Sequence, residues 1–391
     1  MPTIFNFDEI INRHNTNAIK WDLYGPDVLP MWVADMEFYC PPAVQDALRA
    51  KVEHGIWGYE FPKPEWFSFV CERMEKLYGW KITPEMVVMV PGIVAAFNAA
   101  ARAYCLPGSG VLMQPPVYHP FLHVHENANL QRQFAPLVEH QHAHTLSYSI
   151  DFDVFEQSIT EATRLFLLCN PHNPTGQVFS RAELTRMAEI CLRHNVIICA
   201  DEIHSELLLG EAQHIPMATL SPEIEQNTIT LIAPSKTFNL AGLFTGFAII
   251  PNAELRKQFQ TITHQLVLHP NSFGLTAAKA AFEHGDEWLT QLRRYLTTNR
   301  EALVSYVRDC LPGVRIAVPD ATYLAWLDFR AFNLQPSPFQ FFLDNAKVAL
   351  NDGAPFGPGG EGFGRLNFAC PRSMMTEGLE KIKIALNERS A

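Results

Sequence analysis

The sequence predicts an α/β fold with a large domain, built on a mostly parallel central sheet, and a smaller α+β domain. From residue 86 onward, short apolar runs alternate with helical patterns, which is typical of a parallel sheet with helices on both faces. From about residue 285 the pattern changes to one long helical stretch followed by short strands. We therefore predict an N-terminal arm that also contributes to the small domain over residues 1–45, a large domain over 46–285 and a small domain over 286–391.

The predicted elements of the large domain follow one another as strand, helix and strand. Continuous apolar runs predict buried strands over residues 86–90, 110–114, 164–169, 196–200 and 228–233. The Ala-rich segment 93–104 and the amphipathic segment 181–194 predict helices between them. In the small domain, the patterns predict helices over 288–310 and 376–388, and strands over 316–318, 323–327 and 364–368.

Composition and charge exclude several classes of protein. Hydrophobic residues make up 48% and charged residues 18% of the chain, which excludes a disordered protein. The formal net charge of −11 opposes binding to nucleic acid or to an anionic membrane. No apolar run approaches the ~20 residues that span a bilayer, and no signal peptide is recognisable. The eight cysteines are scattered without a Cys-x-x-Cys pair, so we expect free thiols in a cytoplasmic protein.

A cluster of histidines between residues 119 and 144 raises the question of a metal site. His119 and His123 have the spacing of one helix face, but Pro115, Pro116 and Pro120 weaken a helix there. No constellation of carboxylates accompanies these histidines. We therefore predict solvated or hydrogen-bonding histidines and no bound metal.

Three consecutive predicted strands end in polar sequence. The strand over 164–169 is followed by Asn173, the strand over 196–200 by Asp201, and the strand over 228–233 by Lys236. Ligands of parallel sheets bind at the carboxyl ends of the strands, so an amide, a carboxylate and an amine should meet at one edge. Taken singly, each has an ordinary alternative: a surface lysine, a helix-capping aspartate and a turn asparagine.

Together these three groups suit a pyridine aldehyde. A lysine amine condenses with the aldehyde, and a carboxylate keeps the ring nitrogen protonated so that the ring accepts electrons. An amide can donate to the ring hydroxyl oxygen. For an attached phosphate, the sequence offers the predicted helix N-terminus at Gly92 and Ile93 and the hydroxyl of Ser235. Tyr118 is a candidate to stack on the ring, although an isolated tyrosine is more often a core residue.

At these positions the sequence resembles the aspartate-aminotransferase-like enzymes of fold type I, which use pyridoxal 5′-phosphate (PLP). The matching motifs are residues 170–176 (Asn-Pro-His-Asn-Pro-Thr-Gly), 201–204 (Asp-Glu-Ile-His) and 235–242 (Ser-Lys-Thr-Phe-Asn-Leu-Ala-Gly). More narrowly, the chain resembles the MalY/PatB branch of cystathionine β-lyases and cysteine-S-conjugate β-lyases. That resemblance is carried by residues 20–22, 31–38 (Met-Trp-Val-Ala-Asp-Met-Glu-Phe), 54–59, 323–328 and 365–372.

The resemblance implies a role for each candidate residue. Lys236 is expected to form the Schiff base with PLP and to act as general base, Asp201 to pair with the pyridine nitrogen, and Arg365 to bind the substrate α-carboxylate. Against this role for Arg365 stands the ordinary alternative of a surface ion pair. The remaining expected contacts to the cofactor are Asn173 and His204 at the ring oxygen, Tyr118 on the ring face, and Gly92, Ile93 and Ser235 at the phosphate.

The resemblance also implies a homodimer with shared active sites, because Tyr59 matches a tyrosine that reaches the phosphate of the other subunit. One departure is informative. Typical aminotransferases carry a phosphate-binding arginine eight residues after the lysine, and this chain has Phe244 there. The MalY/PatB branch lacks that arginine as well, so the departure favours a lyase.

The expected reaction is a β-elimination on a small amino-acid substrate: a thiolate leaves Cβ, and pyruvate and ammonia follow. Cystathionine, cysteine and bulkier S-conjugates all remain possible substrates. Two alternatives stay open, an aminotransferase of amino acids and a branch member with an added regulatory protein-binding role.

Overall fold

The computed structural model describes residues 4–390 of the chain. Its centre is a seven-stranded sheet. From one edge to the other, the strands are Val87–Val90, Gly246–Ile249, Thr228–Ile232, Ile197–Asp201, Thr163–Cys169, Gly110–Met113 and Gln131–Phe134. Only Gly246–Ile249 is antiparallel to its neighbours among these strands; the other pairs are parallel. The predicted mostly parallel sheet is confirmed, and its predicted strands begin and end within two residues of the observed ones.

Helices cover both faces of this sheet. Successive residues of a strand point to opposite sides, and the apolar residues on each side are buried by packing against helices. On one face, Val111, Leu165 and Ile229 pack with the helices Ile93–Tyr104 and Ala253–Gln265. On the other face, Leu112, Phe166 and Ile198 pack with the helix Arg181–Arg193. That helix begins at a capping box, in which Ser180 and Glu183 satisfy each other's backbone N–H groups.

The remaining helices of this region include four that the sequence analysis did not predict. They are Pro42–His54, Ser68–Tyr78, Ala253–Gln265 and Ser272–His284. Shorter helices are Ile19–Asp22, His119–Leu122, Val124–Ala128, Phe152–Gln157, Pro222–Gln226 and Pro234–Thr237. Pro120 sits in the first turn of His119–Leu122, where the missing N–H of a proline costs nothing.

A second sheet has six strands and combines distant parts of the chain. Its order is Asn351–Asp352, Phe363–Asn367, Leu324–Asp328, Arg315–Ala317, Thr145–Ile150 and Leu137–Gln141. The hairpin over 137–150 thus comes from the middle of the segment assigned to the large domain, and pairs with strands of the C-terminal region. The strand Leu29–Pro30 pairs with Val348–Ala349. The helices Asp286–Cys310, Pro338–Asn345 and Arg372–Ser390 accompany this sheet. The domain boundaries at 45 and 285 stay a prediction.

All eight cysteines are free thiols, and Cys169, Cys191, Cys199 and Cys370 are buried. Among residues 4–390, no helix has both the length and the apolar character needed to cross a bilayer. Within the same range, His, Cys, Asp and Glu side chains form no group of three that could hold a metal ion.

Candidate active site

The ends of three adjacent strands form the wall of one cavity of about 500 Å³. Asp201 is the last residue of its strand, Asn173 follows the strand Thr163–Cys169, and Lys236 lies in the short helix after Thr228–Ile232. The three strands are neighbours in the sheet, so their polar ends lie side by side. The structure therefore brings the predicted amide, carboxylate and amine together, and the same cavity is also lined by Gly92, Ile93, Tyr118, His204 and Ser235.

Lys236 points its amine at the backbone of the N-terminal segment. Its Nζ donates a hydrogen bond to the carbonyl oxygen of Ala34 over 2.6 Å. Burial lowers the pKa of Lys236 to about 8, and the positive charge of Arg365 acts in the same direction. An amine with so low a pKa is in part neutral near physiological pH, which suits both a nucleophile and a general base.

Asp201 is a buried carboxylate without a cation close enough to form an ion pair among the described residues. One oxygen accepts a hydrogen bond from the backbone N–H of Ile203, 3.1 Å away. Burial raises the pKa of Asp201 to about 7, although the nearby Lys236 opposes this shift. A protonated pyridine nitrogen in the cavity would supply the positive charge that such a carboxylate needs.

Arg365 lies in the strand Phe363–Asn367 and is buried next to Asn173. Its Nη1 donates to the side-chain oxygen of Asn173 over 2.9 Å, and its Nη2 donates to the carbonyl oxygen of Trp32 over 3.2 Å. The guanidinium lies 5.1 Å from the ring centre of Phe356. Its Nε is buried and has no hydrogen-bond partner, so the group keeps a donor for an additional acceptor such as a carboxylate. Burial lowers the pKa of Arg365 to about 10.

His204 is buried in the cavity wall, and its Nδ1 likewise has no hydrogen-bond partner. Burial, together with the positive charges of Lys236 and Arg365, lowers the pKa of His204 to about 3. The ring is therefore neutral, and it can either donate or accept one hydrogen bond towards a bound molecule.

The cavity also contains a cradle for an anion. Gly92 precedes the 12-residue helix Ile93–Tyr104 and has a φ of +127°, a conformation that side chains rarely adopt. The helix N-terminus presents backbone N–H groups next to the hydroxyl of Ser235. An amine, a buried carboxylate, the unpartnered Nδ1 of His204 and an anion cradle line one cavity, and Arg365 is bonded to the lining residue Asn173. These groups fit PLP, in the arrangement that the sequence predicts.

Tyr59 does not lie in this cavity within one chain. Its side chain is fully exposed, and the neighbouring Trp57 packs against Phe273 with 5.8 Å between ring centres. The expectation that Tyr59 reaches a second subunit stays a prediction. Phe244 lines the cavity and is 65% exposed, at the place where a phosphate-binding arginine would stand in an aminotransferase.

The backbone of residues 32–36 had no predicted role, although this segment carries part of the family resemblance. Ala34 lines the cavity, and its carbonyl oxygen also accepts a hydrogen bond from the hydroxyl of Tyr323 over 3.0 Å. A backbone carbonyl has no signature in the sequence, so only the apolar and acidic pattern around it could have drawn attention to it.

Comparison with known proteins defines the class to which this fold and site belong. The family model described as aminotransferase class I and II matches residues 39–382, and the chain belongs to this family. Within it, the chain is 41% identical to "Cystathionine beta-lyase PatB" of Bacillus subtilis over 390 residues, which cover 98% of this chain and 100% of the relative.

Solved structures agree with this placement. The PLP-bound C-S lyase from Staphylococcus hominis superposes with a TM-score of 0.91 at 34% identity, covering 98% of both chains. A PLP-bound putative aminotransferase from Clostridium difficile superposes with a TM-score of 0.93 at 36% identity, covering 98% of this chain and 100% of the other. The predicted membership of the PLP-dependent aminotransferase-like fold is confirmed.

Proposed function

We propose that this protein is a PLP-dependent carbon–sulfur β-lyase that converts a sulfur amino acid to pyruvate, ammonia and a thiol. The observation that carries the proposal is the meeting of Lys236, Asp201 and Asn173 around one cavity. Arg365 stands behind Asn173 and donates a hydrogen bond to its side-chain oxygen over 2.9 Å. The similarity to cystathionine β-lyase PatB supports the choice of reaction and makes cystathionine the first substrate to test.

Bound PLP supplies a ring that withdraws electrons from the substrate Cα, which makes the Cα proton acidic. Asp201 and Tyr118 line the cavity; Asp201 would place a carboxylate at the protonated ring nitrogen, and Tyr118 would cover the ring face. Gly92, Ile93 and Ser235 are the proposed phosphate ligands, and Asn173 and His204 the donors to the ring oxygen. These assignments rest on the position of each residue in the cavity wall.

The chain's own groups then bind the substrate and move its proton. The guanidinium of Arg365 pairs with the α-carboxylate and thereby fixes the orientation of Cα. The neutral amine of Lys236 takes the Cα proton, because its lowered pKa leaves it able to accept one near pH 8. As the Cα–H electrons form the new double bond, the Cβ–S bond breaks and its electron pair leaves with the thiolate. Hydrolysis of the remaining fragment gives pyruvate and ammonia.

An aminotransferase is the second candidate, and the similarity to the Clostridium difficile protein favours it. Elimination and transamination share the first proton transfer and differ in where the proton is returned. Phe244, in place of the arginine that typical aminotransferases carry, favours elimination.

One experiment separates the two reactions. The protein loaded with PLP is given cystathionine without any keto acid, and pyruvate is followed over many turnovers. A lyase releases pyruvate continuously, and Lys236→Ala releases none. A single turnover that stalls until a keto acid is added would contradict the lyase and indicate an aminotransferase.

We further propose that the active enzyme is a cytoplasmic homodimer, in which Tyr59 completes the phosphate site of the other subunit. The full exposure of Tyr59 and the 62% exposure of Trp57 support an apolar contact at this position. Light scattering of the wild-type protein tests the homodimer, and a weaker affinity of Tyr59→Ala for PLP is expected if Tyr59 reaches the phosphate.

A further inference from the structure

The segment of residues 32–36, called here the 32–36 strip, contributes Ala34 to the wall of the cavity. Five consecutive carbonyl oxygens of the strip each accept a hydrogen bond from a side chain. The donors are Arg365 to Trp32 (3.2 Å), Asn367 to Val33 (2.6 Å), Lys236 to Ala34 (2.6 Å), Lys20 to Asp35 (3.0 Å) and Asn239 to Met36 (3.1 Å). Two of these donors, Lys236 and Arg365, are the proposed base and the proposed carboxylate ligand.

The strip therefore links the proposed base and the proposed carboxylate ligand, which lie 129 positions apart in the sequence (236 to 365). Lys236 is in the short helix Pro234–Thr237, and Arg365 is in the strand Phe363–Asn367. Lys236 donates to the carbonyl oxygen of Ala34, and Arg365 donates to that of Trp32, two residues earlier in the strip. A shift of the strip along its length would move both acceptors together. Their relative position depends on whatever holds the strip in place.

A group of four charged side chains surrounds the C-terminal end of the strip. This ion cluster consists of Arg13, Lys20, Asp35 and Glu37. Arg13 pairs with Asp35 at 2.9 Å and with Glu37 at 3.1 Å, and Lys20 pairs with Glu37 at 2.7 Å and with Asp35 at 3.2 Å. The two cations and two carboxylates leave no net charge.

The ion cluster is largely removed from water. The side chains of Lys20 and Glu37 are 2% and 3% exposed. Trp21 also donates to Glu37 over 2.9 Å, so the polar atoms of this carboxylate are well satisfied. Buried ion pairs add little net stability, because the cost of desolvation offsets their attraction. Their most direct consequence here is geometric, since each cation is bonded to two acidic residues of one short segment.

We propose that the ion cluster is a positioning device for the reaction. Through the 32–36 strip it sets where the Lys236 amine and the Arg365 guanidinium stand, and its charges act on the proton that Lys236 carries. Arg13, Lys20, Asp35 and Glu37 are thus positioning residues and touch neither the substrate nor PLP. This inference rests on the proposed function of Lys236 as the cofactor lysine.

The charges around Lys236 make the inference testable, because members of one cluster act on the amine with opposite signs. The groups that face this amine are Arg365, Asp201, His204, Tyr323, Asp35 and Lys20. The negative charge of Asp35 favours the protonated amine, and the positive charge of Lys20 disfavours it. Lys20→Met should therefore raise the pKa of Lys236, and Asp35→Asn should lower it, although both substitutions break the same ion cluster.

The experiment follows the capture of PLP by apoenzyme through the absorbance of the bound cofactor at a series of pH values. The capture rate depends on the neutral Lys236 amine, so its pH midpoint reports that group, and the titration of PLP itself is common to all variants. We expect Lys20→Met to raise the midpoint and Asp35→Asn to lower it, in accordance with the sign of the charge that each removes. With cystathionine, both should raise KM, because the guanidinium of Arg365 is no longer held by the strip.

Matched variants distinguish positioning from a general loss of structure. Lys81→Met removes an exposed lysine elsewhere, and Lys20→Arg keeps the charge; both should retain the wild-type midpoint. Midpoints that stay unchanged, or that move in the same direction in Lys20→Met and Asp35→Asn, would overturn the inference. Asp35 is partly exposed, so Asp35→Asn is less disruptive. If Lys20→Met does not fold, the direction of the midpoint shift in Asp35→Asn alone decides whether the inference holds. Wild-type apoenzyme that captures no PLP would instead refute the proposed function.

Discussion

Replacing Arg365 by leucine removes the proposed ligand of the substrate carboxylate and leaves the proposed cofactor lysine in place. A carboxylate that accepts two hydrogen bonds from a buried guanidinium gains about 1.5–3 kcal/mol from each. Loss of both corresponds to about 3–6 kcal/mol, which is roughly a 10²- to 10⁴-fold decrease in kcat/KM. Arg365→Lys keeps the positive charge but loses the planar pair of donors, so we expect an intermediate decrease.

The assay compares pyruvate release from cystathionine in both variants and in the control Arg308→Leu. Arg308 is exposed and does not line the cavity. The absorbance of the bound cofactor should persist in every variant, because Lys236 and Asp201 are unchanged. A kcat/KM of Arg365→Leu within threefold of wild type, with PLP bound, would refute the assignment of Arg365.

Three other substitutions test separate parts of the account. Asp201→Asn should slow pyruvate release at least tenfold, yet stabilise the apoenzyme at pH 8. Between about pH 4 and pH 7, Asp201 is protonated in the native state and ionised in the unfolded chain, because its pKa is raised to about 7 by folding. Wild-type stability should therefore fall across this range relative to the variant, as thermal unfolding will show. Phe244→Arg should tighten PLP binding about tenfold or more, measured by dialysis against dilute PLP, since an arginine adds a charged donor near the phosphate. Arg73→Leu should lower the free energy of unfolding by about 3–5 kcal/mol in denaturant titration, because it strands the buried carboxylate of Glu206, which Arg73 Nε contacts at 3.0 Å.

The parallel strands of the central sheet could be predicted because they are buried on both faces and so form continuous apolar runs. The strand Thr228–Ile232, for example, is buried at every position. The strand Leu137–Gln141 was missed because its five residues are mostly polar and partly exposed. Its pairing with Thr145–Ile150, and the addition of this hairpin to a C-terminal strand, depend on contacts between residues far apart in sequence.

The candidate site was predictable where it consists of side chains at strand ends. Asn173, Asp201 and Lys236 follow predicted strands, and the structure gathers them because those strands are neighbours. The carbonyl of Ala34 could not be predicted, since every residue has one and only tertiary packing selects it. The ion cluster could not be predicted either. Lys20 and Glu37 lie in segments that carry the resemblance, but only the fold shows that they are buried together.

The central claim is that Lys236 holds PLP in this cavity. Borohydride reduction of the PLP-loaded protein, followed by proteolysis and mass spectrometry, locates the lysine that carries the cofactor. The account predicts a pyridoxyl group on the peptide that contains Lys236, and none in Lys236→Ala treated in the same way. A pyridoxyl group on another lysine at full occupancy, or none on the loaded wild-type protein, would contradict it.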